Sequence, residues 1–414
     1  MNFDELSILP VFNWKDREKR IMRVRIYSLK PHASLLLLGT FSACYFLAMI
    51  VARKTLAPDD LYFWNALVTL VAMSFTFCFF GSEQLFLRFS GVSRTGQVRI
   101  NRTTLCLMGA ALVLFTVLLA ALSEGYFFQL GSYAIYPVLE LCVGLFVFVY
   151  NLLRVRKSFS TAQLAANGWK FTILIGVLFA PLGTAPLIIM VGLGAACVGA
   201  VWLFAKNRNA LEINDDPMPE QWKTLFLGFL LSLFVLMLLN NADRLIITRY
   251  GSEALFSEYV YLVTLLLLPF SLLSNYFGFK EMAYLKRHYD QQAFVRKTLG
   301  VGALAAGLFL PWFALIYMAQ GLLEVPVEVS YALPCLVIVT CRCAYALLSA
   351  LFGLKASPSR MHITNVISLI AVLLAAIIVI ESEVTIISML YLLCAFWVSR
   401  SFIVLWAIWK IEGY

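Results

Sequence analysis

The chain has 414 residues, of which 62% are hydrophobic and 13% are charged, and its formal net charge is +9. Soluble domains are closer to half apolar and a quarter charged, so this composition excludes an ordinary soluble protein and is typical of a polytopic membrane protein. The positive charge lies mainly in alternate loops between apolar segments, so we expect no nucleic-acid partner.

The first 33 residues are polar and basic, without the early apolar segment of a cleavable signal peptide. We interpret residues 1–33 as a basic cytoplasmic leader. Its segment WKDREKRIMRVRIYSLK mixes basic residues with Ile, Met and Val. It either lies on the anionic inner leaflet as an interfacial helix, with membrane lipids as partners, or serves as a charge cluster that fixes topology.

Twelve apolar segments follow, each long enough to cross a hydrocarbon core of about 30 Å. Backbone groups in lipid have no water partner, so each segment is predicted to be helical. The sequence therefore predicts an all-α polytopic membrane protein. The predicted spans are 34–56, 62–81, 104–122, 135–153, 161–180, 185–205, 222–248, 256–279, 299–319, 330–354, 362–381 and 385–409.

The distribution of basic residues predicts the topology. Most of the 32 Lys and Arg residues lie in the leader, in the loops after even-numbered spans or in the tail. The alternate loops hold Arg53, Lys54 and Arg249 together with several acidic residues. The positive-inside rule therefore predicts that both termini are cytoplasmic.

An internal repeat predicts two similar halves. Residues 51–70 (VARKTLAPDDLYFWNALVTL) and 247–265 (ITRYGSEALFSEYVYLVTL) each show an Arg, a short turn, an aromatic cluster and Leu-Val-Thr-Leu. Their offset corresponds to six spans, so both copies have the same orientation in the membrane. We expect two parallel-repeat six-helix bundles, 34–210 and 211–414, that flank a central path and provide alternating access.

Motifs for an enzyme are missing from the sequence. It contains no P-loop, no H-E-x-x-H cluster and no G-x-S-x-G elbow, and its external loops are short. The nine cysteines lie in or beside apolar segments and are interpreted as small core residues. We therefore expect no enzyme activity, catalytic residue, cofactor or metal ligand.

Charges within the spans are the candidate functional residues, since a charge at the bilayer centre costs roughly 2.5–3.5 kcal/mol. In span 5, Gln163, Asn167 and Lys170 share one helical face, and Lys170 lies near mid-depth. Arg342 lies near mid-depth in span 10. Lys170 and Arg342 are predicted to line a transport path; the alternative for Lys170 is a buried interhelical pair. Arg400 of span 12 is expected to reach the cytoplasmic interface.

Span 7 carries a polar turn of Asn240, Asp243 and Arg244. This turn either faces the gap between the bundles or is stabilised by a local Asp–Arg pair. In the first case Asn240 and Arg244 bind an anionic group and Asp243 binds a coupling cation or proton. Glu140 of span 4 is either a second coupling site or a solvated carboxylate at the membrane border.

Three segments resemble the multidrug/oligosaccharidyl-lipid/polysaccharide exporter superfamily, specifically its polysaccharide (O-antigen type) repeat-unit flippases. They are VARKTLAPDDLYFWNALVTLV, FGSEQLFLRFSG and NADRLIITRYGSEALFSEYVYLV, which are similar to the family's first loop, the end of its second span and its seventh span. Arg53 and the Asp243–Arg244 pair lie in matching positions.

The resemblance implies a flippase that moves an undecaprenyl-pyrophosphate-linked oligosaccharide across the bacterial inner membrane in lipopolysaccharide synthesis, driven by an ion gradient. Its expected substrate-binding residues are Lys170, Arg342, Arg244, Asn167, Asn240 and Arg53. Other polysaccharide assembly proteins are possible partners. The alternatives are a drug or small-molecule exporter of the same superfamily and a membrane glycan polymerase.

Overall fold

Within the part of the chain that the structure describes, twelve helices are long and apolar enough to cross a membrane, and 85% of the residues are helical. The computed structural model describes residues 14–93, 97–128, 130, 132–179, 185–208, 211–285, 289–381 and 383–409. Residues 1–13 of the predicted leader lie outside this description. The prediction of an all-α polytopic membrane protein is confirmed.

The helices of the first half of the chain are α1 (Trp14–Thr55), α2 (Pro58–Phe77), α3 (Ser82–Phe89), α4 (Arg102–Tyr126), α5 (Ile135–Val155), α6 (Phe159–Asn167), α7 (Trp169–Phe179) and α8 (Ala185–Asn207). Those of the second half are α9 (Trp222–Tyr250), α10 (Glu253–Leu285), α11 (Gln291–Met318), α12 (Gln320–Leu323), α13 (Ala332–Lys355), α14 (Pro358–Ile380) and α15 (Ile386–Trp409). A 3-10 turn at Val329–Tyr331 precedes α13.

Residues 14–33 of the leader are continuous with the first span, because α1 runs without interruption from Trp14 to Thr55. The fifth predicted span is instead divided at Gly168 into α6 and α7. A side chain at Gly168 would place its Cβ 2.7 Å from the carbonyl oxygen of Leu164. The interruption therefore lies beside Asn167 and Lys170, the polar residues predicted in this span.

Side-chain caps mark three helix starts. Asn101 accepts a hydrogen bond from the backbone N–H of Thr103 at the start of α4, and Asp290 accepts one from Ala293 at the start of α11. Ser357 caps α14, where Pro358 occupies the first turn. These polar residues satisfy backbone N–H groups that have no partner within the helix, so each fixes where its helix begins.

A small sheet, absent from the sequence prediction, joins two loops. Its strands are β1 (Gly91–Val92), β2 (Val98–Asn101) and β3 (Leu211–Asn214). β1 pairs with β2 in antiparallel fashion, and β2 pairs with β3 in parallel, with Val98 opposite Leu211. The sheet therefore attaches the connection between α8 and α9 to the loop between α3 and α4.

The helices pack within and between the two halves of the chain. α1 packs on α6 and α7, α5 packs on α8, and α13 packs on α10, α11 and α15. Across the halves, α1 contacts α10, α2 contacts α9 and α10, and α3 contacts α9. The helices that carry the internal repeat thus form most of these contacts between the halves, and α3 adds another. The division into bundles at residues 210 and 211 stays a prediction.

Each repeat copy contains an equivalent contact made by a buried aromatic residue. Trp64 of α2 is fully buried and donates a hydrogen bond from Nε1 to the Met49 sulfur of α1 at 3.1 Å. Tyr259 of α10 is also fully buried and donates its hydroxyl hydrogen to Asp243 of α9 at 2.6 Å. In each copy, a buried aromatic of the second helix therefore binds the helix before it.

Candidate functional site

The polar turn of α9 does not contain the local ion pair expected as one alternative. Asp243 is 1% exposed, and its Oδ2 accepts the hydrogen bond from Tyr259 of α10. Its Oδ1 has no hydrogen-bond partner in the described part of the chain, and neither has Oδ1 of Asn240. Tyr259 therefore provides the direct partner of this carboxylate, while Arg244 extends elsewhere.

Arg244 joins the two halves. Its Nη1 donates a hydrogen bond to the hydroxyl of Thr69 on α2 at 3.3 Å. Its Nε is buried and has no partner among the described residues. Tyr45 of α1 and Arg342 of α13 lie within electrostatic range of Arg244, and the like charges of Arg244 and Arg342 repel each other. The α9 turn thus faces the first half of the chain.

Lys170 terminates a hydrogen-bonded polar stripe on α6 and α7. Its Nζ donates to Oδ1 of Asn167 at 2.7 Å, and Nδ2 of Asn167 donates to Oε1 of Gln163 at 2.8 Å. The Nζ also lies 6.0 Å from the ring centroids of both Tyr45 and Trp169. The shared helical face predicted from the spacing is therefore present, and Tyr45 of α1 lies beside its Lys170 end.

Arg342 is held by an aromatic ring. Its guanidinium carbon lies 5.2 Å from the ring centroid of Trp397 on α15. Trp397 in turn packs edge-on against Tyr345, with 5.6 Å between ring centroids. Such a cation–π contact orients the guanidinium and leaves its hydrogen-bond donors available to a further acceptor.

Lys170, Arg244 and Arg342 share two properties. Within the described residues, none of the three forms an ion pair with a carboxylate. Each side chain also keeps some accessible surface, although protein atoms surround Lys170 and Arg342 on most sides. Cations in this position can attract an anionic group without first breaking an ion pair.

Two other predicted site residues lie apart from this group. Glu140 of α5 is fully buried, and Ser74 of α2 donates a hydrogen bond to its Oε1. Glu140 is therefore no solvated border carboxylate, and that alternative is wrong. Arg53 lies at the end of α1, eight residues from Tyr45, which is about 12 Å along a helix. There it approaches the backbone oxygen of Glu324 at 3.5 Å and the Tyr261 ring.

Arg400 does not reach the interface, contrary to the expectation from sequence. It is 2% exposed, and its guanidinium donates to uncharged acceptors on α13 and α14. These acceptors are the hydroxyl of Tyr345 at 3.2 Å, the carbonyl of Thr364 at 3.4 Å, the hydroxyl of Ser368 at 2.6 Å and Oδ1 of Asn365 at 2.8 Å. The N–H donors of a guanidinium group have a fixed planar arrangement, and the acceptors around Arg400 match it. This match explains why the Arg400 side chain points inward.

Glu83, at the start of α3, is a buried carboxyl outside the spans. It is 7% exposed, and burial raises its pKa to about 7. The preceding Gly81 has a φ of +87° and lies against α9, where an added Cβ would be 2.9 Å from the backbone nitrogen of Leu230. The segment FGSEQLFLRFSG thus places a titratable group beside a close contact between the halves.

Sequence reasoning missed Thr69, Tyr45 and Tyr259. Thr69 belongs to the repeated Leu-Val-Thr-Leu motif, so the repeat was a usable signal for it. Tyr45 and Tyr259 carry no local signal, because their contacts depend on how neighbouring helices are rotated. No protein-family model matches this sequence, and no curated protein matches it.

Proposed function

We propose that this chain is a flippase of the multidrug/oligosaccharidyl-lipid/polysaccharide exporter superfamily. Its substrate is an undecaprenyl-pyrophosphate-linked oligosaccharide repeat unit, and its membrane is the bacterial inner membrane with both termini cytoplasmic. The observation that carries the proposal is that three cations, Lys170, Arg244 and Arg342, come from both halves and have no carboxylate partner among the described residues.

The chemistry of the cations supports an anionic head group. Arg244 has a free Nε–H, and Arg342 is held by Trp397 through its face, so both can donate hydrogen bonds to phosphate oxygens. Lys170 adds a point charge near Tyr45. A pyrophosphate binds such donors well, whereas a cationic drug would be repelled.

General physics indicates where the lipid tail passes and what can drive transport. A sugar pyrophosphate is too polar to cross hydrocarbon, so it needs a hydrated path between the halves, while the prenyl tail stays in lipid. A membrane potential supplies about 2.3 kcal/mol per charge per 100 mV. Asp243 and Glu140 are the proposed coupling carboxyls, since each is buried and has one oxygen without a partner in the described structure.

The test uses a strain that lacks this chain. Lipid-linked repeat units should accumulate on the cytoplasmic side, and wild-type protein should restore their export. Lys170→Met and Arg342→Gln should fail to restore it. Matched controls are Lys223→Met and Arg296→Gln, which remove exposed cations at the ends of α9 and α11.

The result depends on the contrast between the two pairs of variants. Full export by Lys170→Met and Arg342→Gln at normal protein levels would exclude a cationic passage for the pyrophosphate. Equal loss in all four variants would show a general effect of charge on insertion, and would also count against the proposal.

A further inference from the structure

A small cavity lies where the two halves meet at the ends of four spans. Its volume is about 220 Å³, and its walls include Tyr62, Tyr126, Phe127, Arg249, Glu253 and Phe256. The first three come from α2, α4 and the residue after α4, Arg249 comes from the end of α9, and Glu253 and Phe256 come from the start of α10. Basic residues are scarce at this end of the spans, so the positive-inside rule places the cavity outside.

The charges of this cavity are balanced. Arg249 and Glu253 are both exposed, and neither forms an ion pair within the described part of the chain. One positive and one negative group give no net attraction for an anion or a cation. Both side chains can form paired hydrogen bonds, Arg249 as donor and Glu253 as acceptor. A neutral ligand with several hydroxyl groups satisfies both at once.

Aromatic residues provide the small apolar part of a mainly polar site. Tyr62 and Phe256 pack edge to face with ring centroids 5.6 Å apart, and the Tyr62 hydroxyl donates to the carbonyl of Phe128 at 3.0 Å. These contacts fix one wall across the two halves. Tyr126 is 58% exposed and offers a second ring. Phe256 is fully buried and supports the Tyr62 ring, so the exposed Tyr126 ring is the one that packs against a C–H face of a sugar while the sugar hydroxyls bind the charged groups.

We propose that this cavity binds one pyranose ring of the saccharide on the outer side of the membrane. Drug-sized ligands need roughly 300–1,000 Å³, so 220 Å³ suits a single small ring. This inference rests on the proposed function for the origin of the saccharide, whereas the ligand class follows from the cavity itself. A bound ring contacts both halves and therefore favours the arrangement in which these span ends are close.

The test is saturation-transfer NMR on the purified full chain in detergent. The probes are galactose, glucose and N-acetylglucosamine, with methyl phosphate and tetramethylammonium as anion and cation probes that carry observable methyl protons. At least one sugar should receive saturation from the wild-type protein. Tyr126→Ala should weaken that binding roughly tenfold, which corresponds to the loss of one aromatic contact. Tyr250→Ala is the matched control, since Tyr250 is 56% exposed nearby but does not line the cavity.

Two charge variants identify the ligand class. For a neutral sugar, Arg249→Gln and Glu253→Gln should both weaken binding. For an anion, Glu253→Gln should strengthen it, and for a cation, Arg249→Gln should strengthen it; either result overturns the proposal. Sugar binding that is equal in Tyr126→Ala and wild type, or absent from wild type, also overturns it.

The export assay separates this inference from the proposed function. Sugar binding with the expected variant pattern, in a chain that moves no lipid-linked saccharide, supports the cavity assignment and refutes the flippase. Normal export by a chain whose cavity binds no sugar refutes the cavity assignment alone.

Discussion

Arg244 of α9 donates a hydrogen bond to Thr69 of α2, and this bond connects the two halves of the chain through side chains within the spans. Thr69 belongs to the first copy of the internal repeat, and Arg244 lies three residues before the second copy. The bond therefore joins α9 near its end to the middle of α2. A change in the distance between the halves would lengthen or break it.

Replacement of Thr69 by Val should weaken this connection. Valine keeps the β-branched shape but removes the acceptor, so the free energy of unfolding should fall by about 0.6–1.7 kcal/mol, the range for interhelical hydrogen bonds in membranes. Thr264 is the repeat-related control, because it is buried but has no side-chain hydrogen bond in the described structure. Thermal unfolding in detergent measures both variants, and an equal loss in Thr264→Val would contradict the assignment.

Gly81→Ala should separate the start of α3 from α9. The added Cβ would lie 2.9 Å from backbone atoms of Phe229 and Leu230, and the φ of +87° is unfavourable for alanine. We expect a loss of about 1–3 kcal/mol in stability, seen as a lower melting temperature. Gly109→Ala is the control, since no atom lies within 4 Å of its added Cβ and alanine favours the helix. A Gly81→Ala protein as stable as Gly109→Ala would show that this contact is not tight.

Glu83 should make stability depend on pH. Its pKa rises from 4.5 to about 7 on burial, so the folded chain keeps the proton while the unfolded chain loses it. The stabilisation from the protonated Glu83 side chain is therefore complete below about pH 4.5. It is lost as the pH rises to about 7, and the free energy of unfolding falls by at most about 3 kcal/mol. Glu83→Gln should remove this part of the pH dependence of the melting temperature, whereas Glu220→Gln, at an exposed carboxyl, should not. A Glu83→Gln profile that matches wild type would refute the prediction.

Arg400→Lys should destabilise the packing of α15 on α13 and α14. Lysine keeps the charge but cannot bind Tyr345, Ser368 and Asn365 together, and each lost charge-assisted bond is worth about 1.5–3 kcal/mol in soluble proteins. The melting temperature should therefore fall clearly. Arg360→Lys, at the less buried start of α14, serves as the control. Retention of wild-type stability by Arg400→Lys would show that charge alone suffices.

The spans were predictable from the sequence because apolar length is a local property. The small sheet was not, since β2 and β3 have four residues each and pair across more than a hundred positions. Isolated short strands of this kind carry no periodicity long enough to detect.

The site was predictable in part. Spacing along one helix correctly placed Gln163, Asn167 and Lys170 on one face. Contacts between helices, such as that of Asp243 with Tyr259, depend on helix rotation, which one sequence does not contain. Arg400 was misplaced for a similar reason, because depth along a helix says nothing about acceptors on its neighbours.

Pairing of β3 with β2 shortens the covalent connection between the halves. Arg99 with Glu212 and Arg102 with Asp215 form ion pairs there, and Asn101 donates to the carbonyl of Asp216. Residues 217–221 are then left to span the distance to α9, and two of these five are prolines, which restrict the backbone. Any large rotation of one half against the other must therefore have its axis close to this stiff connection. The ends of the helices far from it would move the greatest distance.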